Sequence, residues 1–316
     1  MYNYENYTKV KAAIEQRRSE AIAAADARNG LVRAESPEIA EIDRELSRTG
    51  LELFRIACAG QDLTPLKERN KELMARRKRL LVSLGHSEDF TDVHYTCPDC
   101  SDTGYTNRGQ TVCHCLREAL IKESIASSGI GRLIDKQSFD NFDLEWYRRD
   151  KDTYDRMCAN LAAAKSYVKS FKDKGGNLLL IGTTGTGKTH VSTAIARELI
   201  HMGYDVIYDS AENVFSDFET DRFRSGYGPH EPKAEKYLRA DLLIIDDLGT
   251  EFTNQFTLSC LYNLLNTRHN RGLATVISTN LTPEQLEKRY EDRISSRLIG
   301  RDTQILVFVG NDHRIG

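Results

Sequence analysis

Over residues 1–86, apolar positions recur at helical spacing in three series. The first is Val10, Ile14, Ala21, Ala24 and Ala25; the second is Ile39, Ile42, Leu46, Leu53 and Ile56; the third is Leu66, Leu73, Leu80, Leu81 and Leu84. Charged residues fill the positions between them, which predicts three amphipathic helices in an antiparallel hairpin or coiled-coil arrangement. Ser36-Pro37-Glu38 and Asp62-Leu63-Thr64-Pro65 read as helix starts with Pro in the first turn. Gly30, Gly60 and Gly85 fall near the expected breaks. The basic run Arg76-Arg77-Lys78-Arg79 reads as a solvated helix face or as a phosphate contact.

Beyond residue 151 the pattern changes. Near-continuous apolar runs at 177–181, 205–208, 242–245, 273–279 and 304–309 alternate with amphipathic segments. Strands of that kind are buried on both faces, so the expected fold is α/β with a five-stranded parallel sheet covered by helices. Ligands of such sheets lie at the carboxyl ends of the strands.

The first run delivers Gly182-Thr183-Thr184-Gly185-Thr186-Gly187-Lys188-Thr189 and then a helix beginning near His190. This fits G-x-x-x-x-G-K-[ST] at every fixed position. Inward-pointing backbone N–H groups and a free helix start cradle polyphosphate; Lys188 reaches the β- and γ-phosphates, and Thr189 holds Mg²⁺. The third run ends in Asp246-Asp247, an apolar strand presenting acidic residues at its tip. Asp246 is placed to approach Mg²⁺ and Asp247 to polarise an attacking water. Asn280, at the end of the fourth run, can hold that water. Upstream, Ser138-Phe139-Asp140-Asn141-Phe142 sets two aromatics that either pack on the core or wall an adenine pocket.

Composition narrows the class. The formal net charge is −3 and the isoelectric point about 6.3, so a nucleic-acid contact requires a local patch. With a mean hydropathy of −0.52 and no apolar run near 18 residues, no membrane span is expected. Met1-Tyr2-Asn3-Tyr4-Glu5 lacks the basic and apolar parts of a signal peptide, which points to the cytoplasm. The seven cysteines are then reduced thiols. Four of them form Cys97-Pro98-Asp99-Cys100 and Cys113-His114-Cys115, spaced to enclose one tetrahedral Zn²⁺. Cys113 and Cys115 are expected to point the same way along an extended strand. His114 remains an alternative to one thiolate. With all four positions protein-filled, the ion would be structural. Cys58, Cys158 and Cys260 read as packed residues.

Residues 212–239 interleave Phe215, Phe218, Phe223 and Tyr227 with Arg222, Arg224 and Lys233. Aromatics alternating with cations suit single-stranded DNA, and Arg222, Arg224 and Lys233 are the candidate contacts; packing of Phe215 and Phe218 in the core is the alternative. Glu291-Asp292-Arg293-Ile294-Ser295-Ser296-Arg297 carries two arginines one helical turn apart, suited to neutralising charge on a phosphoryl group from a neighbouring subunit. Arg314 is a candidate nucleotide contact within the same chain.

Together the phosphate loop, Asp246-Asp247, Asn280 and the arginine box resemble an AAA+ ATPase of the initiator and helicase-loader clade. The helical N-terminus, cysteine ribbon and Phe-x-x-Phe segment resemble the DnaC/DnaI-type replicative helicase loaders, with the transposon ATPase IstB a close relative. That resemblance implies Asn280 as sensor 1, Arg297 as arginine finger with Arg293 its companion, and Arg314 as sensor 2. It also implies that residues 212–239 face the channel of an assembly. Asp247 stands where many AAA+ members have Glu. Only seven residues follow Val309, so the C-terminal helical lid is expected to be missing, as it tends to be in loaders.

The expected organisation is a helical partner-binding region at 1–86, a zinc module at 87–120, a linker and adenine-pocket segment at 121–150, and the ATPase core at 151–316. The expected function is ATP- and Mg²⁺-dependent loading of a hexameric replicative helicase onto single-stranded DNA, with self-association through the ATP site. The rivals are an IstB-like transposition helper, against which the cysteine ribbon argues, and a nucleotide-gated adaptor without useful hydrolysis.

Overall fold

The computed structural model describes residues 3–58, 62–224 and 232–312. The chain forms two compact units, one of residues 9–117 and the other of residues 1–8 with 118–316.

In the first unit the three expected helices are α1 (Tyr4–Glu35), α2 (Pro37–Cys58) and α3 (Thr64–Ser83). Gly30 does not mark a break. It lies inside α1, and the chain turns at Ser36, where Pro37 can begin a helix but cannot continue one. Val32, Ile39 and Leu81 are fully buried against one another, with Leu80 and Phe90 beside them. The basic run on α3 is bound up in ion pairs. Arg77 donates to Asp43 at 2.7 Å, to Thr91 Oγ1 at 2.7 Å and to Asn29 Oδ1 at 2.7 Å, while Arg76 and Lys78 pair with Glu38 and Glu88. This is a helix-joining cluster, and three of the four cations are committed to carboxylates. Two short strands, β1 (Tyr105–Thr106) and β2 (Thr111–Val112), form an antiparallel ribbon ahead of α4 (His114–Ser127).

The second unit is the α/β core. After α5 (Leu133–Lys136) and α6 (Lys151–Lys174) come β3 (Asn177–Gly182), α7 (Lys188–His201), β4 (Val206–Ser210), α8 (Ala211–Arg224), α9 (Glu235–Arg239) and β5 (Leu242–Leu248). Then follow α10 (Gln255–Asn270), β6 (Ala274–Thr279), α11 (Pro283–Arg289), α12 (Asp292–Leu298) and β7 (Thr303–Phe308). The sheet order is β4-β5-β6-β3-β7, and every adjacent pair is parallel. This matches the five-stranded parallel sheet expected from the apolar runs.

Alternation along the strands divides the core into two layers. Leu178, Leu180, Val206, Leu242, Ile244, Val276 and Leu306 pack under α6 and α7, where Met157, Ala164, Ile195 and Leu199 meet them. Leu179, Ile181, Ile207, Leu243, Ile245 and Ile277 face the other way, onto Val214 and Phe215 of α8, Leu261 and Leu264 of α10, and Ile294 and Leu298 of α12. Because β6 lies between β3 and β5, the tip of β6 separates the glycine loop from the acidic pair. That places Asn280 between them.

Candidate nucleotide site and metal centre

At the carboxyl ends of β3, β5 and β6 lies a cleft of about 330 Å³. Its walls include Thr184, Gly185, Gly187, Lys188, Thr189 and His190 on one side and Asp247 and Asn280 on another. Lys188 is 5% exposed, and its Nζ donates to Gly182 O at 2.7 Å, Thr183 O at 2.8 Å and Asn280 Oδ1 at 2.7 Å. An ammonium gathered on the floor of the glycine loop makes a strongly electropositive cradle. Thr186 Oγ1 closes the loop on Thr183 O. Gly187 has φ +92°, and a Cβ there would meet the Phe142 ring and the Tyr147 hydroxyl at 2.9 Å. Glycine is therefore required twice over at this point.

Asp246 is buried at the end of β5. Its Oδ2 accepts from Tyr208 at 2.6 Å and from Thr189 Oγ1 at 3.1 Å, and its Oδ1 accepts from Ser278 Oγ. The Ser278 hydroxyl also receives the Asp247 N–H at 2.9 Å. The Thr189–Asp246 pair is the oxygen set suited to Mg²⁺, and the phosphate loop provides the complementary anion cradle, so the residues fit a nucleotide with its metal. Asp247, exposed in the cleft, has φ +55°, a left-handed conformation that Asp adopts more readily than most residues. Tyr208 and Ser278 were not singled out in the sequence. Ser278 had a visible signal, a hydroxyl pair at the tip of an apolar strand; Tyr208 had none, because its partnership depends on sheet register.

The segment before the core forms the other lip. Phe142, 8% exposed, lies in the cleft wall edge-on to His190 with centroids 5.1 Å apart, and near-parallel to Tyr147 at 6.0 Å. Phe142 therefore packs on the core and also lines the cleft. The Tyr147 hydroxyl donates to Thr186 O at 3.1 Å. His190 Nε2 lies 2.8 Å from Ser138 O and 3.0 Å from Asn141 Oδ1, so it carries the proton; burial lowers its pKa and keeps the ring neutral. Gln137 and Trp146 add to the lip. From the far end of the chain, Asp312 lies against Gly185, where a Cβ would overlap its carboxylate. Arg314 lies outside the described residues.

The two arginines of α12 are disposed differently. Arg293 is exposed and lines a small hollow with Gln255, Ser259, Tyr262 and Glu291. Arg297 is half-buried and donates to Asn266 Oδ1 on α10 at 2.9 Å. It lines a hollow with Asn177 and Thr303, the first residues of β3 and β7. The structure thus does not bring Arg297 to this chain's own cleft, which sits at the opposite ends of the strands.

Of the aromatics between β4 and β5, Phe215 is buried and Phe218 stacks on Tyr237 at 6.2 Å, as the packing alternative anticipated. Arg222 lies over the Phe256 ring at 5.1 Å, and Lys233 is exposed, 3.9 Å from Asp217. The Arg224 side chain and Tyr227 lie outside the described residues.

In the other unit, the Sγ atoms of Cys97, Cys100, Cys113 and Cys115 lie within 4.8 Å of one another. Cys97–Cys113 at 3.7 Å and Cys100–Cys115 at 3.5 Å approach the roughly 3.8 Å edge of a tetrahedron with Zn–S bonds of about 2.3 Å. The strand geometry expected for the second pair is not found. β2 ends at Val112 and Cys115 sits in the first turn of α4, because Arg117 N–H already closes a helical bond on Cys113 O. A helix start converges the two thiols as well as a strand would. The His114 side chain is exposed, its Nδ1 3.5 Å from Asp99 Oδ2 and 3.6 Å from Cys113 Sγ. Burial pushes the Cys100 thiol up, but the Gly104 N–H and the neighbouring thiols outweigh it and bring it down to about 7. Asp102, fully buried, accepts from Thr96 N–H at 2.8 Å, Cys97 N–H at 2.9 Å and Arg17, fixing the first cysteine turn to α1. Among the other cysteines, Cys260 is buried, Cys158 is intermediate, and the Cys58 side chain lies outside the described residues.

A family described as "IstB-like ATP binding protein" matches residues 125–302. The phage-like element PBSX protein XkdC of Bacillus subtilis (strain 168) is 28% identical over 255 residues, covering 75% of this chain and 90% of that protein. The replicative helicase loader DnaC of Escherichia coli (strain K12) is 24% identical over 198 residues, covering 63% and 77%. A crystal structure of DnaI aligns with a TM-score of 0.47 at 21% identity, covering 59% of this chain and 95% of that one.

Proposed function

The chain belongs to the family of IstB-like ATP binding proteins, and from that premise we propose that it is an ATP-hydrolysing loader of a hexameric replicative DNA helicase. The observation that carries the hydrolytic part is the Lys188–Asn280–Asp246–Thr189 arrangement across three strand tips. The similarity to a protein named as a replicative helicase loader supports the rest.

In this reading the phosphate loop and Lys188 bind the polyphosphate, and Thr189 and Asp246 would hold Mg²⁺, which would supply charge neutralisation to the phosphates. Asp247 orients and polarises the attacking water, and Asn280 holds it. The Lys188–Asn280 hydrogen bond keeps the amide aligned with its oxygen toward the ammonium. Tyr208 and Ser278 fix both oxygens of Asp246, so the acid cannot swing away from Thr189. The aromatic lip formed by Phe142, Tyr147 and Trp146 walls the base. Arg297, at the opposite ends of the strands, serves a neighbouring subunit's site, with Arg293 its companion. Arg222, Arg224 and Lys233 contact single-stranded DNA. Arg314 is the proposed contact of this chain's own nucleotide.

Zn²⁺ held by Cys97, Cys100, Cys113 and Cys115 supplies stability to a ribbon with little apolar core, and the helices of residues 1–86 hold the helicase. Gel filtration of the chain with the replicative helicase of its host tests the reading. A complex whose stability changes with ATP supports it, and absence of any complex with and without ATP overturns it. The family description favours one other reading, a helper of a transposase on double-stranded DNA; stable binding to a transposase and none to the helicase would decide for it.

A further inference from the structure

The loop that follows β5 contains a buried carboxylate with no place in the scheme above. Glu251 is 6% exposed, and each of its side-chain oxygens is used on a different element. Oε2 accepts the Gly249 N–H at 2.7 Å, two residues beyond Asp247. Oε1 accepts the Tyr290 hydroxyl at 2.5 Å, and Tyr290, 2% exposed, is the residue immediately before the arginine box. The neighbouring Arg289 reinforces the junction by donating from Nη2 to Glu251 O at 2.6 Å. On the far side, Ser295 Oγ of α12 donates to Tyr290 O at 2.8 Å. A continuous line of hydrogen bonds therefore runs from the Asp247 loop through Glu251 and Tyr290 into the helix that carries Arg293 and Arg297.

Two details argue that this line transmits position. First, the loop end is set by its own tight turn: Asp247 is left-handed at φ +55°, and Thr250 returns to Asp247 O through its N–H at 3.2 Å and its hydroxyl at 2.8 Å. A displacement of Asp247 cannot be absorbed by slack residues before it reaches Gly249. Second, the carboxylate is deep and fully engaged. A buried carboxyl so placed resists separation from either partner, because a lost hydrogen bond would leave a polar group unsatisfied in a low-dielectric site.

Resting on the ATPase reading above, we propose that Glu251 is a positioning residue that couples Asp247 at a subunit's own nucleotide site to the α12 arginines that the same subunit offers its neighbour. On nucleotide binding the Asp247 loop would shift, and Glu251 would carry the shift through Tyr290 to α12. Each site then reports its occupancy to the next one.

The test is hydrogen exchange across residues 292–298 of the full-length chain, with and without Mg²⁺ and the non-hydrolysable analogue adenylyl imidodiphosphate. Nucleotide affinity is measured in parallel for wild type, Tyr290→Phe and Glu251→Ala. In wild type, the analogue is expected to change exchange in 292–298. In both variants that response is expected to be lost while affinity stays within about twofold of wild type, a change below about 0.4 kcal/mol. A purely structural carboxylate would lower the melting temperature and leave the nucleotide response in place. Retention of the response in either variant overturns the proposal, as does wild-type binding without any response. If Glu251→Ala does not fold, Tyr290→Phe decides alone, since it removes one oxygen and keeps the buried ring. Failure of wild type to bind the analogue at all would overturn the ATPase reading and not the coupling.

Discussion

Lys188 Nζ on the helix after β3 lies 2.7 Å from Asn280 Oδ1 at the tip of β6. The cation proposed to bind phosphate and the amide proposed to hold the attacking water are thus held as one unit across adjacent parallel strands. Substituting either residue should have separable effects. Lys188→Ala should abolish nucleotide binding, whereas Asn280→Ala should leave the analogue's affinity within about threefold of wild type and reduce turnover by about 10²-fold. Isothermal titration and a steady-state phosphate assay measure the two quantities. Equal loss of affinity in both variants would contradict the assigned roles.

Arg297 points away from its own chain's cleft, so its contribution should be recoverable by mixing. Arg297→Ala is expected to bind ATP normally and to lose about 10³-fold in turnover. Addition of Lys188→Ala subunits, inactive themselves, should restore part of the rate, because each mixed interface can pair an intact nucleotide site with an intact arginine. No recovery at any ratio, under conditions where the wild type self-associates, would place Arg297 outside the reaction.

The cysteine set should bind about one zinc ion per chain. Cys100→Ser should lose the ion and the order of residues 97–117, read by metal analysis and by amide exchange of that segment. His114→Ala should keep the ion, since the imidazole is exposed beside Asp99. Loss of zinc in His114→Ala would instead make it a ligand.

Asp43 offers a pH test of the helical arm. Burial raises its pKa, but the Arg77 and Arg33 hydrogen bonds and charges outweigh it and hold the carboxyl below its ordinary value of 3.8. A depressed folded pKa contributes stability that is present above the unfolded value and lost as pH falls through the folded one. Thermal melts followed by helical circular dichroism should therefore fall below pH 3.8 in wild type, and fall less steeply in Asp43→Asn. Identical slopes would show that the α1–α2–α3 cluster does not depend on this charge.

What could be read from the sequence follows from how local each signal is. The phosphate loop, the Asp246-Asp247 pair and the five strands are contiguous patterns, and the structure places them at one end of one sheet. The partners of those residues are set by register and crossover, which no short window contains. Tyr208 reaches Asp246 only because β4 pairs beside β5 with Ser210 opposite Asp246. Glu251 looks like an ordinary loop acid until α11 folds over it and buries Tyr290 against it. The second cysteine pair shows the converse: the spacing was legible, but strand and helix start both converge the thiols, so spacing alone could not decide between them.

The contact of Phe142 and Tyr147 with Gly187 has a practical corollary for dissecting the molecule. The α/β unit extends upstream of α6. A fragment starting at Lys151 would keep every motif of the phosphate loop yet lack the aromatic pair that leans on it and the Ser138–Asn141 turn that His190 grips. Such a fragment would bear the full signature of the phosphate loop on paper and a loosened, solvent-flooded loop in solution, so a negative result with it would speak about the cut and not about the protein.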